Sequence, residues 1–199
     1  KGKKNEKPLL EANYYYAVST AIREKVLNAE EYKKVFLKGS QNLNNRLREK
    51  GLPLDAAASA YLTNPDLLGT ANTNWLDMVT RTGQTQNADL SLRGGGTASS
   101  YYMSLSYNKQ LGTLEGTSFS RIAGKINLTN ELSDKLRVIA NLDLGFTKNS
   151  ITNGVYSAAV LAPPTWSPYN ADGTLSVFPN AVFPGTNATS SGITNPMAL

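Results

Sequence analysis

The chemistry open to this chain is bounded by two missing residue types, because its 199 residues include no histidine and no cysteine. Without imidazole or thiolate there is no Ser-His-Asp triad, no neutral-pH imidazole base, no zinc site of the usual kind and no disulfide. Enzyme chemistry would have to rest on carboxylates or lysines. A glycosidase needs two acids at a fixed separation across a cleft, and the positions of Glu115 and Asp143 along the chain suggest no such pair. No catalytic residue is assigned, and the chain is not read as an enzyme. Gly94-Gly95-Gly96 has the composition of a phosphate cradle, but no helix follows and no lysine stands at the P-loop position. It is read as a turn with positive φ. Asn170-Ala171-Asp172-Gly173 starts like a calcium loop but lacks the later bidentate glutamate. It is read as an Asx or glycine turn, with no metal and no cofactor.

Aromatic residues offer the remaining chemistry. Trp166, Tyr169, Phe178 and Phe183 lie among prolines and glycines. Flat aromatic faces suit sugar rings, and prolines stiffen the segment that carries them, so these four are candidate substrate-binding residues. The same rings can instead anchor the segment to itself or to a partner protein, the commoner role for such residues.

The elements that must position these residues are strands. Tyr101, Met103, Leu105 and Tyr107 alternate with Tyr102, Ser104, Ser106 and Asn108. Ile122, Gly124, Ile126 and Leu128 alternate with Arg121, Ala123, Lys125 and Asn127, and Leu136–Phe146 alternates with Arg137–Thr147. Ala88, Leu90 and Leu92 do the same against Asn87, Asp89, Ser91 and Arg93, and Glu11–Ser19 forms an earlier strand. A period of two with one apolar face is a β-meander. Segments of about ten residues or more are long enough to cross a bilayer as tilted strands. Connectors alternate long (20–83), short (94–99), medium (111–118), short (132–135) and long (150 onward), as in up-and-down outer-membrane barrels. Tyr101 and Tyr102 near the short turns, with Tyr107, Phe119 and Phe146 toward the long connectors, fit two aromatic girdles. The expected fold is all-β: an up-and-down antiparallel meander forming part of a transmembrane β-barrel, with short helices in the first long loop. Leu105, Ile126, Leu142 and Leu144 are expected to face lipid, and Arg121, Lys125, Asn141 and Asp143 the lumen.

Composition agrees with this. The hydrophobic share is 40% and the charged share 18%, both low for a soluble globular chain. A mean hydropathy of −0.33 is compatible with strands that keep half their residues wet. In the first long loop, Asn28 and Glu31 predict a capping box, followed by helical pieces about 29–36 and Gln41–Lys50. A third piece covers Asp55–Leu62, and Asn74–Thr80 forms a single turn carrying Trp75. The net charge of +5 owes much to Lys1, Lys3, Lys4 and Lys7. No aromatic residue interleaves with them to stack bases, so this end is read as a solvated linker and nucleic acid is not an expected partner. The chain opens without methionine or an apolar signal region, which makes it look like a piece of something longer.

Asn74-Trp75-Leu76-Asp77, Arg81-Thr82-Gly83, Gln86–Leu92 with Gly94-Gly95, and Tyr101–Tyr107 resemble the start of the barrel in SusC/RagA-type TonB-dependent outer-membrane transporters. Phe119-Ser120-Arg121, the Leu128–Leu136 turn and Ile193–Leu199 continue the likeness, while Lys1-Gly2-Lys3-Lys4 is similar to the end of the family's plug and Leu27–Tyr32 to its first outer-loop helix. The resemblance implies residues 1–8 as plug-to-barrel linker, 9–149 as the first five or so strands with a helical outer loop at 20–83, and 150–199 as a second outer loop. It implies energy-coupled import of oligosaccharides or peptides across the outer membrane of a Bacteroidetes-type bacterium, with a SusD-like surface lipoprotein and TonB as partners. A piece this short would supply wall and loops and would not transport alone. The reading from another class is a soluble β-sandwich carbohydrate-binding or adhesin module, which would carry polar residues on both outer faces.

Overall fold

Period-two alternation becomes five strands of 11 to 16 residues: β1 Leu9–Ser19, β2 Gly83–Gly94, β3 Ser99–Leu111, β4 Ser118–Ser133 and β5 Leu136–Ser150. They form one sheet in the order β1-β2-β3-β4-β5, every neighbour antiparallel. The computed structural model describes residues 2–177 and 194–199. Lys1, Phe178, Phe183 and Ile193 lie outside the described residues.

The chain divides into two compact units. One joins Lys1–Ala21 to Arg81–Ile151 and contains the sheet; the other joins Ile22–Thr80 to Thr152–Leu199. The second unit therefore gathers both long connectors into one body. Its helices are α1 Ala29–Glu49, α2 Ala56–Thr63, α3 Trp75–Val79 and α4 Val155–Leu161, with 3-10 turns at Pro65–Leu68 and Pro196–Ala198.

The capping box at the start of α1 is complete: Asn28 accepts from the Glu31 N–H at 2.9 Å, and the Glu31 carboxylate accepts from the Asn28 N–H at 3.1 Å. The two expected helical pieces are instead one 21-residue helix, so the helices of this connector are not all short. Gly39 costs a helix about 1 kcal/mol relative to alanine, and packing on α2 outweighs that. Phe36 meets Tyr61 edge-on at 5.3 Å, and the buried Asn44 donates to Ser59 Oγ and accepts from the Asp55 N–H, both at 3.0 Å.

Residues 68–75 and 162–166 tie the second unit together. The Ala71 and Thr73 N–H groups donate to the carbonyls of Thr165 (3.1 Å) and Pro164 (2.8 Å). Trp75 Nε1 donates to Pro163 O at 2.9 Å. Gly69 adopts φ +103°, and a Cβ there would lie 2.2 Å from Thr165 O, so only glycine fits. The last residues are held by the fully buried Asn195, whose amide donates to Pro168 O and Ser176 O and accepts from the Met197 N–H.

The glycine triplet behaves differently from the expected positive-φ turn. None of Gly94, Gly95 and Gly96 has a positive φ. Their requirement is close approach: a Cβ on Gly95 would lie 2.4 Å from Lys3 O and 2.5 Å from Ser99 O, and one on Gly94 would lie 2.6 Å from the Tyr101 hydroxyl. The N-terminal segment runs across this end of the sheet, with Asn5 donating to Gly96 O and Gly95 to Glu6 O, both at 3.0 Å. Lys4 pairs with Glu131, so the segment expected as a solvated linker is docked.

Candidate functional site

The candidate site is the sheet, whose two faces differ in chemistry. Cross-strand register sorts its residues into rows. Tyr14, Ala88, Tyr107, Ile122 and Phe146 form one row, Ala12, Leu90, Leu105, Gly124 and Leu144 the next, and Leu10, Leu92, Met103, Ile126 and Leu142 a third. Leu105, Ile126, Leu142 and Leu144 therefore share one face. The other face carries Tyr15, Asn87, Asn108 and Arg121 in one row and Glu11, Ser91, Ser104, Lys125 and Asp143 in another. Arg121, Lys125, Asn141 and Asp143 share that face, and Lys125 pairs with Asp143 at 3.0 Å.

Every buried apolar side chain among the described residues lies in the second unit. On the sheet, Leu105, Leu144 and Phe146 are 55%, 64% and 71% exposed. A sandwich would bury one face against a second sheet; here the apolar face meets no protein layer among the described residues.

The apolar run also drifts across the sheet. On β1 it spans Leu10 to Val18, centred on Tyr14, whose row ends at Phe146; on β5 it spans Leu136 to Phe146, centred near residue 141. Its centre thus slides by about five residues, roughly 17 Å, over four strand spacings of about 4.8 Å each. A level apolar band therefore crosses these strands at an inclination of about 40°, within the tilt of membrane barrels.

Register corrects the girdle assignment. Tyr101, Tyr107 and Phe146 are on the apolar face, joined by Tyr14 and Tyr16, but Tyr102 aligns with Arg93 and Asn127, and Phe119 with Gln110 and Asn149, on the polar face. Tyr14 and Tyr16 were not foreseen as girdle residues, although their alternation in the first strand carried the signal.

The aromatic candidates separate. Trp166 is 2% exposed, leaving no ring face open to a sugar, whereas Tyr169 is 46% exposed and bridges Leu175 across the turn at 170–174. That turn is of the Asx and glycine kind: Gly173 has φ +82°, and Asp172 accepts from the Thr174 N–H at 2.9 Å. Hydrogen bonds from the Thr174 hydroxyl and N–H hold the Asp172 carboxyl below its ordinary pKa. Glu115 pairs with Arg81 and Asp143 with Lys125, each with its own cation. A cavity of about 240 Å³ in the second unit is lined by Lys25, Leu27, Tyr32, Thr73, Trp75, Val160 and Pro164 among others. Burial raises the Tyr32 phenol pKa. No group of metal-ligating side chains occurs among the described residues, and none of their helices is long and apolar enough to cross a membrane.

No protein-family model matches the chain. The TonB-dependent receptor SusC of Bacteroides thetaiotaomicron is 26% identical over 200 residues, covering 98% of this chain. A TonB-dependent receptor of Formosa agariphila is 31% identical over 142 residues, covering 66% of it. The solved RagAB peptide transporter superposes with a TM-score of 0.63 over 89% of this chain, at 22% identity. In sequence the chain is similar to TonB-dependent receptors that include SusC, and in fold to part of the RagAB transporter. It spans 18% of the length of SusC, 13% of that of the Formosa receptor and 22% of the matched RagAB chain. The relatives bear receptor and transporter names.

Proposed function

We propose that this chain forms part of the wall and outer loops of an outer-membrane importer driven through TonB. The observation that carries the reading is the uncovered apolar face with its 40° drift, which suits a lipid layer crossed by tilted strands and leaves a sandwich module no covered core. In this reading Leu105, Ile126, Leu142 and Leu144 contact lipid, and Arg121, Lys125, Asn141 and Asp143 line the water-filled interior. Both long connectors are outer loops in this reading, because the long loops of such barrels are extracellular.

The cargo is an oligosaccharide or a peptide, gathered with a SusD-like surface lipoprotein. The likeness to SusC and to a peptide transporter supports that pair of classes. The exposed Tyr169 ring is a described surface that suits either ligand. The docked N-terminal segment is the passage from plug to wall.

Fractionation of the source organism tests this, using an antibody raised against the chain. A detergent-extracted outer-membrane band well above 21.5 kDa, which brings down a lipoprotein, is expected. A soluble band at 21.5 kDa would overturn the reading.

A further inference from the structure

We propose that Lys109 and Lys148 form a docking site for the phosphate-bearing headgroup of an outer-leaflet lipid. The site rests on the reading of the apolar face as lipid-facing. Of all charged side chains within the five strands, only these two lie on that face. Glu11, Asp89, Arg93, Arg121, Lys125, Glu131, Arg137 and Asp143 all take the opposite parity. The two lysines also fall in the same row, with Ser120 between them: Lys109 aligns with Ser120, and Ser120 with Lys148. Their Cα atoms are therefore about 10 Å apart, close enough for two flexible four-carbon stems to bring both ammonium groups onto one phosphate.

The row lies one step beyond Tyr107, Ile122 and Phe146, at the end of the sheet nearer the long connectors. Lys109 stands five residues beyond the centre of the β3 apolar run (Tyr101–Tyr107), and Lys148 seven beyond that of β5. For strands inclined by about 40° these are heights of about 13 and 18 Å from mid-band. A hydrocarbon layer about 25–30 Å thick places headgroups there. No acidic side chain on the face competes for either lysine, both are exposed, and neither has an ion pair among the described residues. Two cations above an aromatic row and an apolar band match an amphiphile with an anionic head and acyl tails. A free anion would have no use for the band.

The test uses the intact transporter in detergent, titrated with lipid A as a phosphorylated glycolipid, with dephosphorylated lipid A and with inorganic phosphate. The double variant Lys109→Gln/Lys148→Gln is expected to bind lipid A about tenfold or more weakly than the wild type. Dephosphorylated lipid A should bind both proteins alike, and millimolar phosphate should displace little lipid. Equal lipid A affinity in the two proteins would overturn the site, and so would full displacement by phosphate alone. Oxygen accessibility of a nitroxide at Leu144 separates the two readings. A hydrocarbon signal with unchanged lipid A affinity sinks the headgroup site alone, whereas an aqueous signal sinks the lipid-facing assignment beneath it.

Discussion

Trp75 shows how single residues hold the second unit together. It is 2% exposed and its indole N–H meets Pro163 O at 2.9 Å, joining the two long connectors at one point. Trp75→Phe keeps most of the apolar volume but removes the indole donor, leaving Pro163 O with the Trp166 N–H at 3.2 Å, a loss of about 0.5–1.5 kcal/mol. Amide exchange along Val155–Trp166 of the intact protein is expected to quicken by roughly an order of magnitude; unchanged protection would show that the joint lies elsewhere. Legibility at this scale was mixed. The Asn28 cap was visible because its partner lies three residues away, whereas Asp55 reads as the first residue of a helix and proves to be its cap. The roles of Trp75, Asn195 and Trp166 depend on partners far along the chain or on burial, and no local spacing encodes those. That is why sequence leaves Trp166 open as a candidate binding ring or an anchor, and only the fold packs it as core.

At the scale of elements, strands were legible almost to the residue and helices less so. Alternation is imposed by the pleat and survives in any environment that treats the two faces differently. The continuity of α1 depends on α2, which lies beyond the glycine-bounded break at Gly51. Gly39 sits mid-helix, and a Cβ there would meet no atom within 4 Å. Gly39→Ala is therefore expected to stabilise α1 by about 0.5–1 kcal/mol, read as slower amide exchange across the helix. Destabilisation instead would mean that a neighbour not described here occupies that space. The glycine triplet teaches the complementary point: its composition signalled special backbone, but only the fold reveals that the need is room for Lys3, Pro8, Ser99 and Tyr101 rather than positive φ.

For the whole molecule, the two units solve the burial problem in opposite ways. One collects the buried tryptophans and aliphatic side chains; the other displays an apolar face that no described layer covers. That division follows if the solvent of the sheet is lipid on one side and water on the other, and the drift of the apolar band supplies an independent geometric check on the same idea. The most direct test is nitroxide accessibility in the intact transporter reconstituted in bilayers, with labels at Leu105, Ile126, Leu142 and Leu144 and at Arg121, Lys125, Asn141 and Asp143. Oxygen-favoured relaxation at the first four and access to a water-soluble nickel complex at the second four is the predicted pattern. The reverse pattern, or aqueous signals at all eight, would contradict the account.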